Sequence, residues 1–543
     1  MTDPVAELRE AVAAAAADLR GDGPLDPGRL DRPPRADFGD YSSNVAMLLA
    51  PSIGDPPREV AERLRGLLAQ RLEGLIERVE VAGPGFLNLF LADAWWRAAV
   101  AGMLAAGESF GRDGAVAGEH LLLEFVSANP TGPLTVASGR HAAYGDSLAR
   151  ILTFHGHRVQ REYYVNDQGG QIERFAASVR ARALGDEPPP DGYHGAYVSE
   201  LADGIEGAAG LAPGELGAQA VEQMLEGVRA TLERARVSFD SFFLESAAHH
   251  GGGVERALAR LEDQGILYRH DGALWMRSTV HGDDKDRVLR RSSGELTYLA
   301  SDVAYHEDKR ERGYDRVIDV LGADHTGYVA RMRAVWTALG GELERFEIVI
   351  MQLVNLLEGG HRVQMSKRGG DFVTLDDLIE DIGVDATRFF LVQRSHETTL
   401  DLDLAVARAQ SQDNPVYYVQ YAHARIASIL RNAGDERVET ALGADLTTQT
   451  GDRLHPSERA LVKRLLELPD EVRVAAERRS PHRLTSYAHE AAQDFSAFYR
   501  DCRVVGAAEE GGDELFRVAL CAQTRRVIAQ ALDLLGVSAP EQM

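Results

Sequence analysis

The sequence predicts a multidomain chain in which a doubly wound α/β core lies between a small α+β unit and an all-helical unit. Short apolar runs alternate with helical periods from about residue 120 to about 350, the pattern of a parallel sheet wrapped by helices. Ahead of that region helices mix with two short alternating strands around Gly83-Pro84-Gly85, and beyond about residue 405 the period is almost wholly that of amphipathic helix. At 543 residues the chain exceeds what one core supports and suggests roughly three domains. The expected divisions are 1–95, 96–405 and 406–543, with a mostly helical insertion at about 176–285.

Composition narrows the class. The hydrophobic fraction of 44% is ordinary for a globular protein. No apolar run is long enough to cross a bilayer, and the start MTDPVAELRE is acidic where a secretory signal is basic then apolar. A cytoplasmic protein without membrane contact is expected. Cys502 and Cys521 lack metal-ligand spacing, so buried free thiols are expected and no metal site. A net charge of −25 argues against indiscriminate nucleic-acid coating, although a local basic face can sit on an acidic body. Only Lys285, Lys309, Lys367 and Lys463 are lysine. A lysine at a motif position is therefore informative.

Taken in order, the first unit opens with a helix over 5–19, a Gly/Pro/Asp-rich loop to about 40, a second helical region and strands flanking Gly83-Pro84-Gly85. A connecting helix over 95–107 follows. The stretch 124–146, EFVSANPTGPLTVASGRHAAYGD, then organises the core. Apolar residues 121–126 form a strand, Pro130, Gly132 and Pro133 forbid its continuation, and a helical period begins near Gly139 with Gly156 at its end. Strand, polar loop and helix N-terminus is how such folds offer N–H groups and a helix dipole to phosphate. Further strands are expected at 158–165, 295–302, 316–321 and 346–353. The polar loop after each can converge on one crevice. After the last strand, Met365-Ser366-Lys367-Arg368 precedes two glycines, a loop able to lay an ammonium and a guanidinium on phosphates. In the helical unit, residues 414–425 interleave Tyr417, Tyr418 and Tyr421 with Arg425. Aromatics beside arginines suit splayed single-stranded bases, and a helix-bundle core with satisfied tyrosine hydroxyls is the alternative.

Together these residues resemble class I aminoacyl-tRNA synthetases, specifically the arginyl-tRNA synthetases. The resemblance rests on 124–134, on Gln364 to Arg368, on 414–425 and on 482–503, with Phe38 to Asn44 and Ala82 to Phe86 similar to the family's extra N-terminal domain. It implies an α+β N-terminal domain that contacts the tRNA elbow, an α/β Rossmann-like parallel-sheet catalytic domain with a helical insertion, and an all-α C-terminal anticodon-binding bundle. The implied reaction is ATP-dependent ligation of L-arginine to tRNA(Arg) through an arginyl adenylate, with Mg²⁺, in a monomer. Arginine-binding positions are then Glu124, Asn129, Tyr298, Asp302 and Asp324. Carboxylates suit a guanidinium, which only donates. ATP-binding positions are Pro133, Gly139, Gly322, His325, Met365, Lys367 and Arg368, with Lys367 and Ser366 on the departing pyrophosphate. Asn44, Tyr417, Tyr418, Tyr421, Arg425 and Arg500 are the implied tRNA contacts.

One departure is large. Where class I synthetases carry His-Ile-Gly-His or a close variant, this chain has Thr135-Val136-Ala137-Ser138. The hydroxyls of Thr135 and Ser138 can donate to phosphate but carry no charge. Loss of such a donor typically costs about 2.7–4 kcal/mol of transition-state stabilisation. His141, one turn on, and Arg140 are the candidate substitutes. Gln364 likewise replaces a family lysine. Two other readings stay open: a tRNA-binding paralogue with little or no activity, suggested by Thr135 and Ser138, and an enzyme charging tRNA for specialised metabolism.

Overall fold

The computed structural model describes every residue except 1–3, 22–29, 34, 113–117, 364–365, 368–370 and 448–452, and only the backbone at 36, 248–250, 366–367, 371–372 and 510. At the N-terminus, helices Pro4–Arg20, Val45–Ile53 and Pro57–Arg71 cover a four-stranded antiparallel sheet in the order Leu30–Asp31, Tyr41–Ser43, Phe86–Leu91, Ile76–Ala82. Val79, Leu87, Leu89 and Leu91 point into its core. Gly85 has φ +147°, and a Cβ there would lie 2.9 Å from the Pro57 carbonyl oxygen, so this turn requires glycine.

The central sheet is parallel and five-stranded, in the order Phe346–Met351, Arg316–Gly322, His120–Glu124, Arg158–Val165, Ser241–Leu244. Its middle strand is buried on both faces, which is why Leu121, Leu122 and Leu123 run without alternation. Helix Val136–Phe154 follows this strand and is locked from behind. Asp146, fully buried, accepts from the guanidinium of Arg388 at 2.6 Å, and Arg388 also donates to the carbonyl of Leu535 at 2.9 Å.

One expectation fails here. Residues 295–302 are not a strand, since helix Tyr298–Glu311 begins inside them. Leu299, Ala300, Val303 and Ala304 are buried at helical spacing, a stripe too short to distinguish from a strand within eight residues. Most residues of the insertion at about 176–285 are helical, and strands accompany them. Its helices are joined by Ser241–Leu244, the edge strand of the parallel sheet, and by a three-stranded antiparallel sheet, Arg287–Arg290, Ala273–Met276, Leu267–His270. Asp271 and Gly272, at φ +50° and +76°, form the two-residue turn between the last two. Asp-Gly is a hairpin signal that was legible in the sequence.

The C-terminal bundle comprises Pro415–Ala433, Asp435–Gly443, Pro456–Leu465, Leu468–Glu477, His482–Asp501 and Glu514–Leu534. Cys502 and Cys521 are buried free thiols within it. The connecting helix Asp93–Ala106 is tied to this bundle by Arg97 and Asp513, a buried pair at 2.5 Å, and by Arg459, which reaches Asp93 and also Glu77 of the N-terminal unit. Among the described residues no helix is long and apolar enough to cross a membrane.

Candidate active site

The carboxyl ends of the parallel strands open into a cavity of about 640 Å³. The middle strand ends at Glu124, and the chain then turns through two left-handed residues, Val126 at φ +68° and Ser127 at φ +40°. A β-branched residue there costs on the order of 1–3 kcal/mol and persists only where surrounding contacts impose it. They do so here. The Ser127 hydroxyl donates to Glu124 Oε1 at 2.8 Å and accepts from the Tyr164 N–H at 3.1 Å, while the hydroxyls of Tyr163 and Tyr197 donate to the carbonyls of Ala128 and Thr131. Asn129 is thereby presented on the cavity wall.

Thr135 caps the next helix, its Oγ1 accepting from the Ser138 N–H at 3.3 Å and lying 3.2 Å from the Ser138 hydroxyl. Ala137 and Ser138 face the cavity, whereas Thr135, Pro133 and Gly139 lie outside its wall. Gly139 serves packing, because a Cβ there would meet Leu375 Cδ1 at 2.6 Å. The Leu375 N–H donates to the Leu134 carbonyl at 2.8 Å, and Thr374 bridges to Thr135. The chain leaving the Lys367 loop is thus anchored on the variant signature itself. Ser366–Lys367 pairs antiparallel with Asp371–Phe372, and Gln364, Met365 and Arg368 fall outside the described residues.

Arg140 is not available to phosphate. It is buried, and its guanidinium donates to the carbonyls of Gln352, Leu353, Ser395 and Thr398 at 2.7–3.2 Å, stitching the helix to the chain that follows the edge strand Phe346–Met351 and to the loop before Leu400. His141 does line the cavity. Burial, then the charge of Arg140, pulls its pKa down to about 4, so in the free protein at neutral pH the ring is uncharged.

Helix Tyr298–Glu311 supplies the opposite wall. Tyr298 stands at the rim, 62% exposed, and Asp302 lies one turn deeper, accepting from the Tyr328 hydroxyl at 2.7 Å. Deeper still, Lys309 is fully buried between Glu124 and Asp319. Gly322, Asp324 and His325 also border the cavity. Asp324 is 82% exposed at the mouth, 3.5 Å from His325, and a Cβ on Gly322 would touch both Asp324 and His141. Asp324 thus stands at the mouth near His141 and His325 rather than deep beside Asp302. Sequence reasoning missed Tyr164, Glu245 and Tyr328. Glu245 follows the overlooked edge strand and bonds the Tyr164 hydroxyl. Tyr328, three residues beyond the His325 loop position, was within reach.

On the helical bundle, Asn414 caps Pro415–Ala433 by accepting from the N–H groups of Val416 and Tyr417. Tyr417 and Tyr421 stack at 6.2 Å, and Arg425 lies over the rings of Tyr421 and Tyr499, at 5.5 and 5.0 Å. Tyr421 and Tyr499 are exposed. Tyr418 departs from this set, packing on His489 with its hydroxyl bonded to Ser496. Arg500 is exposed and pairs only with adjacent Asp501 among the described residues. Asn44 caps helix Val45–Ile53 without a side-chain bond. Tyr421→Ala is expected to leave the melting temperature nearly unchanged, because the residue is exposed. Tyr418→Ala is expected to lower the melting temperature instead.

Comparison with known proteins agrees with this architecture along the chain. Residues 6–91 match the arginyl-tRNA synthetase N-terminal domain, 219–419 the catalytic domain of class I tRNA synthetases (R), and 419–543 the DALR anticodon binding domain. An arginine–tRNA ligase of Frankia alni is 46% identical over 560 residues, covering 99% of this chain and 100% of its own. The structure of Thermus thermophilus arginyl-tRNA synthetase superposes with a TM-score of 0.74 at 26% identity, covering 100% of both chains. That of Plasmodium falciparum gives 0.75 at 16% identity, also over 100% of both, a likeness of fold alone. With full-length identity to an arginine–tRNA ligase and all three domain matches in order, the chain belongs to the arginyl-tRNA synthetases.

Proposed function

We propose that this synthetase activates L-arginine with ATP, and transfers it to tRNA(Arg), at the cavity between Glu124 and His325, with hydroxyls in place of the signature histidines. The observation that carries this reading is the facing of two chemically distinct walls. One presents the carboxylates of Glu124 and Asp302 with Asn129 and the hydroxyl of Tyr298, all suited to a planar donor. The other presents the N-terminus of a 19-residue helix with Ser138 and His141, suited to an anion. A guanidinium seated on the first wall directs the substrate carboxylate toward an α-phosphate on the second. The bond formed joins that carboxylate oxygen to phosphorus, and pyrophosphate leaves. The tRNA terminal ribose hydroxyl then attacks the carbonyl and AMP departs.

Positioning and charge stabilisation supply most of the catalysis in such a step. Ser138 donates a hydrogen bond, and neutral His141 donates one more or takes up a proton as phosphate charge builds beside it. Lys367 and Ser366 are the proposed pyrophosphate contacts, carried on a loop whose exit is tied to Leu134 and Thr135. Mg²⁺ is proposed to enter with the nucleotide and to help neutralise charge on its phosphates. We propose a cytoplasmic monomer that contacts tRNA(Arg) through Asn44 and the Tyr417, Tyr421 and Arg425 face. Identity of 46% across the whole chain to an arginine–tRNA ligase favours this reading over a non-catalytic paralogue. Arginine-dependent ATP–pyrophosphate exchange, run with and without tRNA(Arg), and direct tRNA charging test it. Charging is expected. Tight tRNA binding with neither exchange nor charging at high enzyme concentration would overturn it.

A further inference from the structure

Lys309 is one of four lysines among 59 lysine and arginine residues, and it is buried without exposure. Its ammonium donates to Glu124 Oε2 at 2.5 Å and to Asp319 Oδ1 at 2.7 Å, and it lies 4.2 Å from the centroid of the Tyr305 ring. Glu124 and Asp319 are direct partners on adjacent parallel strands, so their side chains leave the sheet on one face. Two carboxylates placed this way repel unless a cation stands between them. The remaining groups facing that cation have partners of their own. Tyr305 donates to Glu162, which Arg312 clamps at 2.7 and 2.8 Å, and His306 lies 3.4 Å from Asp319 and bonds the Asp302 carbonyl.

The geometry points to Lys309 as the positioning residue of the arginine pocket, holding Glu124 in the orientation that receives the substrate guanidinium without touching the substrate itself. This rests on the arginine-pocket reading above. Ser127 fixes Oε1 of Glu124 and Lys309 fixes Oε2, so the carboxylate is held in one orientation with acceptor capacity left at the cavity it lines. The same helix carries Tyr298, Asp302 and Lys309. One rigid element therefore sets both carboxylates against each other. A compact ammonium fits between two carboxylates and a ring face, where a planar guanidinium would push the strands' side chains apart.

The test compares Lys309→Met and Lys309→Arg with the wild-type enzyme in aminoacylation. For Lys309→Met the KM for arginine is expected to rise about 10–100-fold while kcat and the KM for ATP stay within about threefold. Lys309→Arg keeps the charge and should show a smaller rise in the KM for arginine, again with kcat little changed. If Lys309→Met does not fold, Asp319→Asn carries the test. It leaves the whole ammonium charge on Glu124, where it offsets the attraction for the guanidinium and raises the KM for arginine several-fold. An unchanged KM for arginine in a folded variant, or arginine and ATP constants rising together, would overturn the assignment. Failure of the wild type to charge arginine would instead overturn the functional reading.

Discussion

Asp302→Asn is expected to lower kcat/KM for arginine by on the order of 10²–10⁴, the equivalent of about 3–5 kcal/mol for removing one charge from a buried pair. Asparagine preserves the shape and the acceptor for the Tyr328 hydroxyl, so the change isolates the charge. Aminoacylation at varied arginine measures it, and a loss below about fivefold would place the guanidinium elsewhere. The same residue predicts a pH effect. Burial raises the Asp302 pKa above the ordinary carboxylate range, against the opposing pull of Tyr328 and His306. A carboxyl whose folded-state value is raised holds its proton more tightly in the native protein, so its contribution to stability is present at low pH and is lost as pH rises through that window. A bound guanidinium favours the ionised form. The KM for arginine is therefore expected to climb as pH falls through the raised range, and Asp302→Asn should lack that dependence.

Asp146→Ala is expected to destabilise the protein by about 3–5 kcal/mol, read as a lowered midpoint in chemical denaturation. Asp146 is completely buried and accepts from Arg388 at 2.6 Å, Arg150 at 2.7 Å and Arg161 at 3.3 Å. Arg388 is itself buried, and its remaining bonds go to the carbonyls of Leu535, Ala235 and Arg236. Removing the carboxylate strands that guanidinium in the interior. Because Leu535 follows the last helix of the anticodon-type bundle, the loss is expected to loosen the packing of that bundle on the helix that begins at Thr135. An unchanged midpoint would mean that Arg388 is held by its carbonyl partners alone.

Much of this protein was determined by the sequence. An uninterrupted apolar run marks the middle strand, and the strands expected at 158–165, 316–321 and 346–353 lie close to Arg158–Val165, Arg316–Gly322 and Phe346–Met351. The Pro130, Gly132 and Pro133 break, the helix after it, and the aromatic–arginine spacing of 417–425 are also local, and the family resemblance followed from them. What the tertiary structure decided depends on partners distant in the chain. Residues 295–302 carry β-forming side chains, yet they enter a helix because Leu299, Ala300, Val303 and Ala304 are buried together against a neighbouring layer. Ser241–Leu244 is too short to signal itself and is a strand because Arg158–Val165 offers it an edge. Arg140 looked like a phosphate ligand from its position beside Ser138, and four carbonyls from residues 352–398 claim it instead. Lys309 was visible only as a rare lysine. Its meaning comes from Glu124 and Asp319, brought side by side by strand register, because charges are balanced in space and not along the chain.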